Sequence, residues 1–200
     1  IYYFCIRPKF FSSMKVIVFS LFAFFFNLCL LAQESSNAIV RDSIIKVDGY
    51  STKQIYDGVK TWFVENAKYD SRAILQIDKE DEGILQGKVS IPVEWHGMTW
   101  WCLTGYVSSI FYIQIKEGRF RVKFYNFTHF STVAPPVVLQ KWCMGEVLDE
   151  GYPESLKSGL KPAYNHMRKR VRPLIYTNTS QWFKDMKTSV EQGPRVEEDW

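Results

Sequence analysis

The dipeptide Glu117-Gly118 separates two runs, 108–116 and 119–130, in which apolar and polar residues alternate. Alternation with a period of two is typical of a β-strand that has one buried face. A two-residue connection that contains glycine is typical of a tight antiparallel hairpin. The predicted apolar pairs across this hairpin are Ile115 with Phe120, Ile113 with Val122, and Phe111 with Phe124. The chain must therefore build a sheet whose apolar face is covered by other elements.

The opposite face of this hairpin is polar and basic, and it carries Tyr112, Gln114, Lys116, Arg119, Arg121 and Lys123. Like charges side by side, such as Lys116 and Arg119, destabilise a hairpin unless an acidic group lies nearby. The acidic loop Glu80-Asp81-Glu82 is one candidate for that group, and an anionic ligand is the other. The candidate ligand-binding residues are Lys88, Tyr112, Arg119, Arg121 and Lys123.

A second hairpin is predicted upstream, from strands at 73–77 and 84–93 joined by the acidic loop that ends in Gly83. Its predicted pairs are Ile77 with Leu85, Leu75 with Gly87, and Ala73 with Val89. The opposite face then collects Ile74, Gln76, Gln86 and Lys88. This hairpin therefore also has one apolar face.

A strand and a helix precede both hairpins. The strand covers 39–47 and ends at Asp48-Gly49. Ser51, followed three residues later by Gln54, forms a capping-box pattern that marks a helix N-terminus. Helical spacing then predicts a core stripe of Ile55, Tyr56, Val59, Trp62 and Phe63.

The remainder of the chain is less regular. Segment 133–137 contains two prolines and ends the sheet, and 154–170 predicts at best two short helices interrupted by Pro162. A last helix is expected over 180–191, capped by Asn178 or Thr179. Its apolar side carries Trp182, Phe183, Met186 and Val190. The tail 193–200 is polar and is expected to be loose.

These elements predict an α+β fold, with an antiparallel sheet of two hairpins plus an N-terminal strand. The helices that begin at Ser51 and Ser180 are expected to cover one face of that sheet. The other face, which holds the basic side chains, is then left uncovered.

Three stretches carry a family resemblance: VDGYSTKQIY at 47–56, ILQIDKE at 74–80 with GILQGK at 83–88, and KEGRFR at 116–121. Together they resemble a family of exported bacterial domains of unknown function with a TATA-box-binding-protein-like (TBP-like) fold. The resemblance covers about residues 40–132, and it implies that fold for a domain there. Residues 133–192 are then a C-terminal extension whose helix packs on the domain. The family implies no catalytic residues, and likeness to a DNA-binding fold is not evidence of DNA binding.

An export signal is predicted at 14–32. Met14-Lys15 precedes the apolar run 16–31, and Ala32 follows that run immediately before a polar segment. Residues 1–13 are interpreted as an over-extended start, with a longer signal region as the alternative. An uncleaved membrane anchor is a further alternative, and it is disfavoured because the run is near the lower length limit for a membrane span. Leu28 before Cys29 argues against a lipoprotein. We expect a mature protein in the periplasm or cell envelope of a Gram-negative bacterium.

Two cysteines remain after that processing, Cys102 and Cys143. In an oxidising compartment they are candidates for a disulfide, and two buried free thiols are the alternative. Trp95, Trp100 and Trp101, with Tyr106, are either an aromatic platform for a sugar or peptide or part of the core.

The net charge of the chain is mild. With 25 Lys and Arg against 21 Asp and Glu it is +4, which fits an anionic envelope surface, or no particular partner, better than nucleic acid. The densest cluster, Arg168-Lys169-Arg170-Val171-Arg172, is interpreted either as a contact with lipid phosphates, acidic glycans or a protein partner, or as a solvated helix end whose cations complement the helix dipole.

No catalytic or metal motif is evident. His96, His129 and His166 are scattered, and there is neither a G-x-S-x-G nor an H-E-x-x-H sequence. The leading hypothesis is a non-enzymatic envelope protein that binds a ligand or partner through the uncovered sheet face. It needs no cofactor and no nucleic acid, and it contacts a membrane only if the signal is uncleaved. A small envelope hydrolase is the alternative, favoured if His129, Asn126 and a cysteine share a cleft, and a structural or assembly role is the third.

Overall fold

The computed structural model describes residues 37–67, 73–95, 100–133 and 143–193. The elements in chain order are strand β1 (Arg41–Lys46), helix α1 (Thr52–Ala67), strands β2 (Ile74–Lys79), β3 (Ile84–Val93), β4 (Gly105–Lys116), β5 (Arg119–Ser131) and β6 (Gly145–Glu146), and helix α2 (Lys161–Gln192). One-turn 3₁₀ helices lie at Trp101–Leu103 and Ser158–Leu160.

The six strands form one antiparallel sheet in the order β1-β5-β4-β3-β2. Strand β6 also pairs with β5, but farther along it, where Thr128 lies opposite Glu146. The two helices pack against each other and against one face of the sheet. The predicted α+β class is therefore confirmed.

The central hairpin has the predicted register. In β4 and β5, Ile115 lies opposite Phe120, Ile113 opposite Val122, and Phe111 opposite Phe124. All six of these side chains are buried. The register predicted from the Glu117-Gly118 turn is therefore confirmed.

The register of the upstream hairpin is predicted only in part. Leu75 lies opposite Gly87 as expected, but a bulge between Leu75 and Ile77 shifts the strand by one residue. Ile77 therefore lies opposite Gln86 and not Leu85, and Asp78 takes the position opposite Leu85. The shift places the Asp78 carboxylate 2.7 Å from Nζ of Lys60 on α1.

Helix α1 begins as predicted. The Ser51 amide donates to Oε1 of Gln54 at 2.9 Å, and the Gln54 amide donates to Oγ of Ser51 at 3.3 Å, which completes the capping box. The predicted stripe is buried, with Trp62 only 2% exposed. At Gly58 a Cβ atom would lie 2.6 Å from Cα of Val190, so this glycine permits the close approach of α1 and α2.

The C-terminal helices were predicted incorrectly, because the region forms one 32-residue helix. Pro162 lies in the first turn of α2, where a missing N–H costs nothing. Pro173 lies inside α2, and the helix continues through it between the buried residues Val171 and Ile175. Thr179 does not cap a helix, since its hydroxyl donates to the Ile175 carbonyl at 2.7 Å. Asn178 also lies inside the helix, and its side-chain amide donates to the Leu174 carbonyl.

Candidate functional site

One face of the sheet is not covered by any element that the structure describes. We call it the open face, and its residues follow from the register as rows that cross the strands. The rows are Lys46–Arg119–Lys116, Ile44–Arg121–Gln114–Ile84, Asp42–Lys123–Tyr112–Gln86, Tyr125–Ile110–Lys88–Ile74, Thr128–Ser108–Ser90 and Phe130–Tyr106–Pro92. The side chains of these rows are half-buried or exposed, whereas those that alternate with them are mostly buried. The candidate residues Lys88, Tyr112, Arg119, Arg121 and Lys123 all lie on this face.

The first row holds three cations on three adjacent strands. Arg119 of β5 lies opposite Lys46 on one side and opposite Lys116 on the other. All three are exposed, and none has a carboxylate partner within the described residues. We call this set the cationic row. Lys46 was missed by the sequence analysis because the partner of β1 was not predicted.

Arg121 is engaged differently from its neighbours. Its guanidinium reaches Asp42 on β1, with Nη2 2.6 Å from Oδ2 and Nε 3.0 Å from Oδ1. Hydrogen bonding by Arg121 lowers the pKa of Asp42, and the same contact raises the pKa of Arg121. The carboxylate that balances this face therefore comes from β1.

The acidic loop, one of the two candidates for balancing the basic face, does not do so through Glu80 or Glu82. Glu80 lies 2.8 Å from Nζ of Lys53 on α1, and Glu82 lies 2.6 Å from Nζ of Lys79. Both contacts are local to the upstream hairpin of β2 and β3 and to α1. The basic side chains of β4 and β5 receive no charge compensation from either residue.

Two shallow depressions lie on the open face. One of about 240 Å³ is lined by Ile44, Gln114, Lys116, Arg119, Phe120 and Arg121. The other, of about 300 Å³, is lined by Tyr112, Gln114, Arg121, Lys123 and Tyr125. Nζ of Lys123 lies 5.6 Å from the centre of the Tyr125 ring. The face therefore presents cations and tyrosine rings on a surface without a deep cleft between these residues.

The proposed aromatic platform is largely occupied by the protein itself. The rings of Trp95 and Trp100 each lie 5.0 Å from the ring of His166 on α2. The Arg170 guanidinium lies 4.8 Å from the centre of the Trp95 ring. Trp101 is exposed, and Tyr106 stacks on Phe130 of the open face instead. The three tryptophans do not form one open surface.

The basic cluster 168–172 lies in the N-terminal half of α2 and not at its C-terminal end, so its interpretation as a helix end is wrong. Arg168 donates to the Gly151 carbonyl at 2.8 Å, and Arg172 lies 2.7 Å from the Asp149 carboxylate. With Arg170 against Trp95, all three arginines hold the helix to neighbouring segments. Lys169 is exposed.

The residues named for a hydrolase are not brought together. His129 is fully buried, its Nε2 donates to the Leu103 carbonyl at 2.9 Å, and its Nδ1 accepts from the Met144 amide at 3.3 Å. Both ring nitrogens are therefore engaged by the backbone, and burial lowers the pKa of His129. Asn126 is exposed at a bulge with φ of 55°. This geometry suits a structural histidine.

The expected disulfide is not formed. Cys102 is buried and Cys143 is exposed, and both are free thiols. Burial raises the pKa of the Cys102 thiol, which keeps it protonated and unreactive. The alternative of two buried thiols also fails, because Cys143 faces solvent.

The remaining predictions, on metal sites, membrane spans and the export signal, can be compared only with the described residues. Within the described residues, no group of three or more His, Cys, Asp or Glu side chains is placed to hold a metal ion. Neither helix in the described ranges is long and apolar enough to cross a membrane. His96, the signal at 14–32 with Cys29, segment 1–13 and most of the tail lie outside the described residues.

The fold and the sequence can be compared with known proteins. A family model described as "Domain of unknown function (DUF4468) with TBP-like fold" matches residues 42–130. A DUF4468 family protein from Bacteroides ovatus has a similar structure, with a TM-score of 0.51 and 14% identity over 82% of this chain and 91% of that one. A TBP-like protein from Parabacteroides distasonis has a TM-score of 0.55 and 9% identity over 78% of this chain and 95% of that one. No curated protein sequence matches this chain.

These matches agree with the family resemblance that the three sequence stretches carry. The matched segment runs from β1 to the end of β5 and so includes the whole open face. At such low identity the two solved structures bear on the fold alone. Residues 42–130 therefore match the model of DUF4468, the domain of unknown function with a TBP-like fold, and the chain is similar to that family over those residues.

Proposed function

We propose that this protein is a non-enzymatic binding domain of the bacterial cell envelope, and that its open face binds an anionic component there. The cationic row is the observation that carries the proposal. Three like charges sit on directly paired strands, an arrangement that destabilises a sheet. An anion bound there relieves that repulsion, so binding and stability are linked.

The location rests on the sequence. Export through the signal at 14–32 delivers the domain to a compartment whose surfaces carry many anionic groups. The net charge of +4 favours association with such surfaces. The geometry of His129, which engages both ring nitrogens with the backbone, offers no support for the hydrolase alternative.

Salt-dependent binding to immobilised heparin, a generic polyanion, tests the proposal. The row variant replaces Lys46, Lys116 and Arg119 together by Gln, and it is expected to elute at much lower salt because exposed charge contacts are screened. The control variant replaces Lys157, Lys169 and Lys184 by Gln, which removes the same charge from exposed sites outside the open face. Equal elution of the two variants would contradict the proposal.

This design departs from the set that the sequence suggests, Arg119, Arg121 and Lys123. Replacing Arg121 also breaks its ion pair with Asp42. A loss of binding in that variant could then come either from lost ligand contacts or from weakened pairing of β1 with β5, and the two causes could not be separated. The row variant avoids this, since it leaves Arg121 and Asp42 in place.

A further inference from the structure

We infer that the anionic partner of the open face is the surface of a lipid membrane that contains phosphodiester headgroups. The inference rests on the proposed function and names the partner of the same face. It also goes beyond the expectation that membrane contact requires an uncleaved signal, because the contact is made by the folded domain.

The spread of the cations is the first argument. From Lys46 on β1 to Lys88 on β3 the face crosses four adjacent strands, which is about 14 Å at the usual strand spacing. Along β5, Arg119 and Lys123 are four residues apart, again about 14 Å. A single phosphate group cannot contact charges spread over such an area. Several headgroups side by side in one plane can.

The shape of the face is the second argument. The two depressions between the basic side chains are shallow and open to solvent. A small soluble ligand is normally held in a concave site that buries most of its surface. A broad, shallow, cationic surface instead suits a planar partner.

Apolar side chains among the cations are the third argument. Ile44, next to Arg121, is 62% exposed, and Ile74, next to Lys88, is 54% exposed. These two residues lie on the two outer strands, so they flank the basic surface on both sides. Phe130 is 37% exposed on the same face. A bilayer offers an apolar layer directly beneath its phosphates, which a polyanion in solution does not.

Vesicle co-sedimentation tests the inference. The chain is used in the form recovered from its own cells, with vesicles of phosphatidylcholine and phosphatidylglycerol compared with phosphatidylcholine alone. The phosphatidylcholine vesicles measure any contribution from segments outside the open face. We expect binding that depends on phosphatidylglycerol and weakens with salt.

The row variant is expected to bind anionic vesicles on the order of a hundredfold more weakly, since each cation near an anionic membrane contributes roughly fivefold. The control variant should lose far less. Lys46→Gln alone, expected to cost roughly fivefold, gives the same information if the triple variant does not fold. Circular dichroism checks the fold of each variant.

Ile44→Gln separates a membrane from other anions. We expect it to weaken binding to anionic vesicles by about tenfold, because an apolar contact is lost. Its elution from heparin should stay unchanged, because no charge is altered. A variant that binds anionic vesicles as the unaltered chain does would contradict the insertion of Ile44 and, with it, a membrane as the partner.

Three other outcomes would overturn the inference. Heparin binding through the cationic row without any preference for phosphatidylglycerol would reject the membrane and leave the proposed function standing. Tighter binding to a DNA duplex than to anionic vesicles would make nucleic acid the partner. Binding to neither heparin nor vesicles would reject both proposals.

Discussion

Arg121 of β5 is held by Asp42 of β1, with Nη2 2.6 Å from Oδ2. The contact ties β1 to the adjacent strand β5, and it divides the basic side chains of the open face into two kinds. Arg121 has its counter-charge within the protein. Arg119, two residues earlier on the same strand, instead lies directly between the cations Lys46 and Lys116. The two arginines therefore have different roles.

Asp42→Asn tests this division. Removing the carboxylate frees Arg121, and the affinity of the open face for an anionic probe should rise severalfold. The loss of stability should stay below about 1 kcal/mol, since the pair is exposed. Asp81→Asn removes an equal charge from the acidic loop and should change neither quantity. Unchanged heparin elution of Asp42→Asn would contradict the distinction between the two arginines.

The same pair predicts a dependence on pH. The pKa of Asp42 is lowered in the folded protein, mainly by its hydrogen bond to Arg121. Its contribution to stability is therefore present above the ordinary value of 3.8 and is lost as the pH falls through the folded pKa. Denaturant melts at acidic pH should show a smaller loss in Asp42→Asn than in the unaltered chain.

His129 predicts a second pH effect at higher pH. Burial lowers its pKa below the ordinary 6.5, so the unfolded chain binds a proton first as the pH falls. The contribution of the neutral, buried His129 to the free energy of unfolding is therefore fully present above pH 6.5. It declines as the pH falls below 6.5, until the histidine of the folded protein is protonated as well. His129→Gln should be less stable at neutral pH but should lack this decline. Equal slopes in the two proteins between neutral pH and the acidic range would refute the prediction.

Trp62 is predicted to anchor α1 to the sheet. Its ring lies 6.4 Å from those of Phe111 on β4 and Trp182 on α2, so it joins three elements. Trp62→Ala should cost about 3 to 5 kcal/mol, the range for truncating a buried large aromatic side chain. Val64→Ala, on the same helix at a site 58% exposed, should cost less than about 0.5 kcal/mol. Denaturant unfolding measures both, and similar values would contradict this packing.

The two thiols should react at different rates. Cys143 is exposed and should be modified at once by a thiol reagent, whereas buried Cys102 should react only in denaturant. Mass spectrometry after labelling resolves the two sites. If neither cysteine reacts in denaturant when no reductant is present, the two are joined by a disulfide and this prediction is wrong.

Export remains a prediction from the sequence. Intact-mass measurement of the protein from its own cells should give an N-terminus near Gln33, as the apolar run followed by Ala32 implies. Full-length chain in the cytoplasm would remove the envelope from the proposed function.

Local chemistry explains which parts of the fold could be predicted. The turn at Glu117-Gly118 and the capping box of Ser51 and Gln54 each involve neighbours in sequence, and both are correct. The bulge after Leu75 has no such signal, because Gln76 is neither glycine nor a typical turn residue. The register beyond it was therefore wrong by one residue.

Long-range pairing explains what was missed at the candidate site. Arg119, Arg121 and Lys123 follow from one hairpin, but Lys46 and Asp42 reach the open face only because β1 pairs with β5. No pattern within β1 names that partner, although its period of two does put Lys46 and Asp42 on one side. Helix α2 was misjudged for a related reason, since burial of Val171 and Ile175 sustains a helix that Pro173 would interrupt in isolation.

The pairing of β1 with β5 also has a consequence for how the chain folds. Strand β1 is the first strand of the described residues, but its partner β5 is separated from it in sequence by one helix and three strands. Helix α2, which covers both strands, follows later in the chain. Contacts of such long sequence separation slow folding, because the loop between them must be closed before they form. Among the described residues, the nascent chain therefore has no complete sheet until most of it has been made. This late closure suits the export that we propose, because a transport machinery threads chains that have not yet folded.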